Sequence, residues 1–407
     1  MRPRFVGRIA AKEILSTLRD TRAIVSNLVI PLILLPVVML GLPLLMGGLF
    51  QRETTTVTEL AVEGLDRLPV ELVAFAEAQN AVLVDVPDAL AAVRADDYSA
   101  GLVVGADFAE RLATGAADVV IVTKAGNIRS ELNAGKLRAA VDAYAQTLVA
   151  DRLAEAGLDP SVLRPIAIAS ADASTEAERS SGQLAWLIPF FIAIWTLSGG
   201  QMTAIDATAG EKERGTLEVL LVAPVRRAEV VVGKFLAVVT FGLSAAVMAI
   251  LGFVLGGTVL RRVFMPLIGD GGGEIAAMMG GTLTITPLTV LLLLVSALLL
   301  ASVVSALLLT VTLFARSFKE AQTYVAPMSF LLIIPAIALQ FRDLIGAGDS
   351  VYWIPVYNVM VLMDDVVKGS ASAGAIGITW LVMTLAVAAL LTLAYRSFLR
   401  EDVLFRT

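Results

Sequence analysis

The stretch from Asp206 to Lys234 reads DATAGEKERGTLEVLLVAPVRRAEVVVGK and holds the most telling residue spacing in the chain. Leu217, Leu220 and Leu221 stand at i, i+3 and i+4, which gives a short helix one apolar face. Thr216, just after Gly215, is placed to cap its start, and Pro224 to stop it. Glu211, Glu213, Arg214 and Glu218 supply a polar surface beside that face. The chemistry on offer is docking rather than bond making. A short helix projecting between two membrane spans can seat in a groove of a cytosolic motor. An ordinary surface loop would have the same composition.

A second group consists of polar residues inside apolar stretches: Asn27, Gln201, Gln322, Gln340 and Asn358, with Asp206 near the end of one stretch. Polar side chains at membrane depth are default candidates for binding substrate. Sodium as a substrate would want several oxygen ligands from amides, hydroxyls and carbonyls unwound near proline. The plainer use of each residue is a helix–helix hydrogen bond.

The chain contains no His and no Cys, so it has no imidazole base, no thiolate nucleophile and no Cys-zinc or iron–sulfur site. Zinc-dependent and Ser–His intramembrane proteases are excluded; an Asp-dyad or Lys-based mechanism is not excluded by composition. No catalytic residue and no metal-ligand set is nominated. No phosphate-cradling loop occurs either. Gly233-Lys234 is followed by Phe235, and position 228 is Ala where such a loop needs Gly. The chain therefore lacks an ATPase motif of its own. Nothing in the pattern points to nucleic acid.

The elements that must position these residues are mostly membrane spans. Apolar residues make up 57% of the 407 positions and charged residues 17%, well below a soluble domain. Residues 50–180 nevertheless hold 21 Asp/Glu and 11 Lys/Arg, 32 of the 68 charges in the chain. The composition predicts a polytopic membrane protein with one soluble insert. No charge falls in the 29 positions between Arg22 and Arg52, so a first span is expected over 23–49, kinked by Pro31, Pro36 and Pro43. Five more apolar stretches lie at about 184–205, 230–260, 286–314, 321–341 and 374–395. Six spans put both termini on one side.

Basic residues set the orientation. The N-terminal segment 1–22, the 206–229 loop, the 315–320 turn and the 396–407 tail hold fifteen Lys/Arg, against four (Arg261, Arg262, Arg342, Lys368) in the short loops opposite. Both termini are thus expected in the cytoplasm and the insert outside. Residues 1–22 pattern as an interfacial amphipathic helix, with Arg4, Arg8, Lys12, Arg19 and Arg22 on one arc among anionic lipids. Glu13, Leu15 and Asp20 break that pattern. The insert, at net charge −10, reads as α/β: strands at Val57–Val62, Ala81–Asp85, Ala100–Val104 and Asp118–Thr123, helical pattern at Arg67–Gln79 and from Ile128 to Ala156. Asp364 and Asp365 are expected solvated in the loop after the fifth span, where 354–369 forms a short re-entrant helix.

The run Glu211-Lys-Glu-Arg-Gly-Thr-Leu-Glu-x-Leu-Leu-x-x-Pro224, followed by Glu229 and Gly233-Lys234, resembles the cytoplasmic loop of type-2 ABC exporter permeases. The resemblance runs through nearly the whole chain. Lys12-Glu13 with Leu18-Arg19-Asp20 is similar to that family's interfacial helix, and Asp107-Phe108 ahead of Gly115 to its external domain. Arg316-Ser-Phe-Lys-Glu-Ala-Gln-Thr-Tyr324, Trp353-Ile-Pro-x-x-Asn358 and the tail Arg400-Glu-Asp-Val-Leu-Phe405 are similar to the NatB sodium-extrusion branch.

The resemblance implies a six-span α-helical permease with an inserted extracellular α/β domain in the inner membrane. It implies sodium as cargo and a separate, NatA-like cytosolic ATPase that uses ATP and Mg. It also implies a second permease chain, as a homodimer, and a coupling role for Glu211–Leu221. Two alternatives stay open from sequence: an exporter of a drug, peptide or lipid-like molecule, and a membrane receptor that transports nothing.

Overall fold

A computed structural model describes residues 1–163, 185–259, 286–346 and 348–400, with isolated positions 171, 173, 175, 262 and 263. The chain divides into two units, residues 1–43 with 173–407, and residues 44–172.

In the first unit, helix α1 (Pro3–Leu18) ends where Asp20 accepts from the backbone N–H groups of Arg22 and Ala23 and starts the next helix. A π-helical turn at Val25–Val29 leads into α2 (Ile30–Thr55). That helix runs past the expected end of the first span at residue 49. Among the described residues six helices are long and apolar enough to cross a membrane: Thr21–Val38, Leu187–Glu213, Arg227–Val259, Pro287–Thr312, Phe318–Phe341 and Ala373–Leu399. The chain is a multi-pass membrane protein.

Three of these helices form the interior. They are α7 (Leu187–Ile205), α9 (Arg227–Val259) and α10 (Pro287–Thr312), each packed on the other two. With lipid outside there is little hydrophobic gain in burying a leucine, so close backbone approach must hold the helices together. Gly199 shows how close: a Cβ there would sit 2.6 Å from Phe241 O and 2.6 Å from Ala245 Cβ.

Around this centre lie α11 (Phe318–Val325) and α12 (Met328–Ala338), which together make the fifth span, and the sixth, α14 (Ala373–Leu399). Between them α13 (Tyr357–Lys368) buries every residue from Asn358 to Val367, packed on α7, α10, α12 and α14.

The second unit is a four-stranded sheet in the order β2-β1-β3-β4, with strands Thr58–Glu63, Ala81–Asp85, Gly101–Val104 and Val119–Val122 for β1 to β4. β1 pairs in parallel with β2 and β3, and β4 runs antiparallel to β3. Parallel neighbours need crossovers, supplied here by α3 (Val70–Ala78) and α4 (Ala89–Arg94). The expected helix from Arg67 therefore begins only at Val70, after Pro69; Leu65–Arg67 form a 3-10 turn. α5 (Phe108–Thr114) and the long α6 (Ile128–Glu155) complete the unit. Leu60, Val62, Leu102, Phe108 and Leu137 fill its core.

Candidate functional site

Four segments gather at one end of the first unit: α1, residues 206–229, residues 313–318 and the end of α14. These are the basic segments that the sequence assigned to one side. Lys212 donates to the carbonyl of Leu313, Arg227 Nη1 to Leu399 O at 3.0 Å, and Phe318 N to Glu213 at 2.8 Å. Arg2 donates its backbone N–H and a guanidinium N–H to Glu229, at 2.7 and 3.1 Å, and reaches Pro224 O at 2.6 Å.

At the centre of this end, Lys234 projects from α9 and is 2% exposed. Its ammonium donates to Glu211 at 2.5 Å, Glu13 at 3.1 Å and Ala207 O at 2.5 Å. Three donors meet three acceptors. Lys12 closes the cluster from the side by donating to Glu211 and Glu13. Two carboxylates and two ammoniums cancel, which is the condition for burying charge at tolerable cost. Burial of Lys12 works against its charge, but the bond to Glu211 and the nearby carboxylates outweigh this and hold its pKa above the usual lysine value.

The backbone is shaped to fit. Residues Asp206–Gly210 form a π-helical turn, where the ordinary helical ladder shifts, and Lys234 takes the Ala207 carbonyl. Gly233 lets α1 lie directly on α9, since a Cβ there would meet Ile9 at 2.8 Å.

The segment 206–229 is thus less a projecting loop than expected. Its helix continues unbroken to Glu213. Gly215, at φ +68°, then turns the chain in the left-handed region that favours glycine. The short helix α8 (Thr216–Val222) follows. Its N-cap is Gly215, not Thr216. Thr216 is the first helical residue, and its hydroxyl donates to Glu211 O at 3.3 Å.

The polar and apolar surfaces also differ from expectation. Glu211 is buried at 3% exposure, inside the charge cluster rather than on a surface for a partner. Leu217 is buried in one apolar cluster with Ile9, Val230, Val231 and Phe398, with the partly buried Leu220 packed against it, so these two leucines are turned to the permease itself. Among the described side chains, α8 leaves outward Val219, 73% exposed, and Thr216, with Glu213 and Arg214 exposed just ahead of it. The side chains of Glu218 and Leu221 lie outside the described residues.

A cleft of about 880 Å³ opens at this end, lined among others by Lys12, Asp20, Asp206, Arg214, Val219 and Leu220. Asp206 pairs with Arg214 across it at 2.9 Å. Of the polar residues nominated for ions, only Asp206 lines the cleft. Asn27 is buried, donating to Gly199 O at 3.5 Å and accepting from Ser26. Asn358 is buried and uses its amide at the start of α13, on Tyr352 O at 3.1 Å and Val359 N at 2.7 Å. Gln201 is half-buried on α7, while Gln322 and Gln340 are exposed.

The expectation for Asp364 and Asp365 is corrected. Both are buried on α13. Asp365 accepts from Arg342 at 2.5 Å and from the Tyr352 hydroxyl at 2.6 Å, and Asp364 accepts from Lys368 at 2.7 Å. Burial and the hydrogen bond to Asp365 push the Tyr352 phenol up to about 12. The amphipathic α13 closes the bundle here instead of leaving a loop in water. Arg261 and the tail 401–407, counted for orientation, lie outside the described residues.

Glu13 and Lys234 were not among the nominated residues. Each had a visible signal: Glu13 broke the pattern of the first helix, and Lys234 was a charge inside an apolar run. The two violations answer each other in space.

The sequence profile of the ABC-2 family transporter proteins matches residues 28–396. The chain is also similar to the ABC transporter permease protein NatB of Bacillus subtilis, 30% identical over 265 residues, which is 65% of this chain and 66% of the relative. That match spans just under two thirds of the relative's length. A profile that runs from the first span to the end of the last covers the membrane unit and the insert together, and the chain belongs to the ABC-2 transporter family.

Proposed function

We propose that the chain is the permease subunit of an ATP-driven exporter that extrudes sodium, driven by a separate NatA-like ATPase that docks at the Glu211–Ala223 end. Two copies of the chain form the pathway. Both termini and this docking end face the cytoplasm of an inner-membrane protein, and the α/β unit lies outside.

The observation that carries the reading is the charge cluster of buried Glu13, Glu211 and Lys234, closed from the side by the more exposed Lys12. It ties α1, the end of the second span and α9 into one body directly behind α8. A partner that moves α8 therefore moves two interior spans with it, which turns closure of an ATPase into a change of access. Val219 and Glu213 are the side chains offered to that partner. Sodium is favoured by the resemblance of 316–324 and 353–358 to the sodium-extrusion branch, and by the similarity to NatB.

Val219→Asp tests the docking. With Val219 exposed, the variant is expected to keep the thermal stability of the wild type and to lose co-purification with the ATPase and stimulated ATP turnover. Leu217→Ala, by contrast, opens a cavity inside the permease and should cost about 2–5 kcal/mol of stability. Normal association and turnover by Val219→Asp would remove α8 from the interface.

A further inference from the structure

Asp364 is 1% exposed, and its two carboxylate oxygens are treated differently by the fold. Oδ2 accepts from Lys368 at 2.7 Å, one turn along α13. Oδ1 is fully buried and has no hydrogen-bond partner. A buried carboxylate oxygen with nothing to accept from is costly, and native folds rarely keep one without a use. The neighbouring Asp365 shows the contrast, since both its oxygens are held by Arg342 and Tyr352.

The surroundings say what the free oxygen can take. A divalent cation held by carboxylates needs several of them, and among the described residues no group of three or more His, Cys, Asp or Glu side chains that could hold one stands together. A proton needs one lone pair.

The charged and titratable groups around Asp364 are few. Among the described side chains they are Tyr357, Asp365 and Lys368 on its own helix, and Arg342, Tyr352 and the exposed Asp349 from the adjoining 342–353 segment, where the side chain of Asp343 lies outside the described residues. Helices α7, α10 and α12 present no Asp, Glu, Lys, Arg or Tyr at all, and α14 only Tyr395 and Arg396 near its far end. A single ammonium at Lys368, itself 36% exposed, supports the negative charge directly.

We propose that Asp364 is a proton-binding site, in which Oδ1 takes up one proton from water on the Lys368 side. The carboxylate becomes a carboxyl, the hydronium donor becomes water, and Lys368 keeps its own proton while losing its anionic partner. Burial pushes this carboxyl up, and the Lys368 charge offsets that only in part. The ionised form is the penalised one. The fold therefore gains stability as pH falls through the raised range and loses it as pH rises through the same range. Uptake frees the last turn of α13, where Gly369 in the left-handed region turns the chain toward the sixth span.

The test is an infrared pH titration of the full chain in lipid nanodiscs. The wild type should show a buried carboxylic C=O band that grows on acidification well above the range of exposed carboxylates. Asp364→Asn should lack the band, and Asp349→Asn, on an exposed residue, should keep it. Lys368→Gln should move its midpoint upward by about one pH unit or more, because it removes the charge that favours ionisation. This last variant keeps the proposal testable if Asp364→Asn does not fold. No such band in the wild type, the same band in Asp364→Asn, or an unmoved midpoint in Lys368→Gln would overturn the assignment.

Discussion

Lys234 ties α1, the end of the second span and α9 together at one end of the first unit. Among the described residues its ammonium alone joins α9 to both Glu13 and Glu211, and it is almost completely out of water. Removing one member of a buried charge cluster strands the rest. Lys234→Met leaves two carboxylates facing a single half-exposed Lys12, and is expected to cost about 3–5 kcal/mol, read as a large drop in the melting temperature of the detergent-solubilised protein. A combined Lys234→Met and Glu211→Gln variant should recover part of that loss. Equal stability of Lys234→Met and wild type would show that the cluster is not structural. At this scale the sequence was half legible. Residue types gave the short helix after Gly215, but whether Glu211 or Leu217 faced inward depended on α1 and α9 arriving from distant parts of the chain.

Individual elements were easier to see than the joints between them. Apolar runs gave the spans because a membrane imposes length directly on the sequence. The alternation in 57–62, 81–85, 100–104 and 118–123 coincides with β1 to β4 to within a residue at each end. The π-helical turns at Val25–Val29 and Asp206–Gly210 had no sequence signal, since they answer to tertiary contacts. The helix expected over 354–369 is present as α13, but its burial depends on four neighbouring helices and could not be read from its own residues. The α7–α9 joint makes a prediction of its own. Gly199→Val places a branched side chain against the Phe241 carbonyl, which is backbone and cannot step aside. Overpacking of this kind is expected to cost about 1–3 kcal/mol, or to splay the two helices. Thermal unfolding of the purified variant checks it, and an unchanged transition would mean that the helices tolerate a wider spacing.

For the whole molecule, the basic segments that the sequence placed on one side do assemble at one end, through Lys212, Arg227, Arg2 and the Lys234 cluster. Which side of the membrane that end faces is a matter of charge. The chain has no native Cys, so single labels carry no background. Asp97→Cys, exposed in the α/β unit, should react with an impermeant maleimide in intact cells, whereas Glu213→Cys should react only after the membrane is opened. The reverse pattern would invert the orientation.

The sodium transport proposed for this chain rests on work done by a separate ATPase. Its direct measurement is tracer-sodium flux in proteoliposomes holding the chain and its cognate ATPase, with ATP supplied on the ATPase side. The expected result is sodium moved away from the ATPase side only when ATP and both subunits are present, and abolished by Val219→Asp. ATP turnover without sodium movement, or sodium movement by the chain alone without ATP, would contradict it.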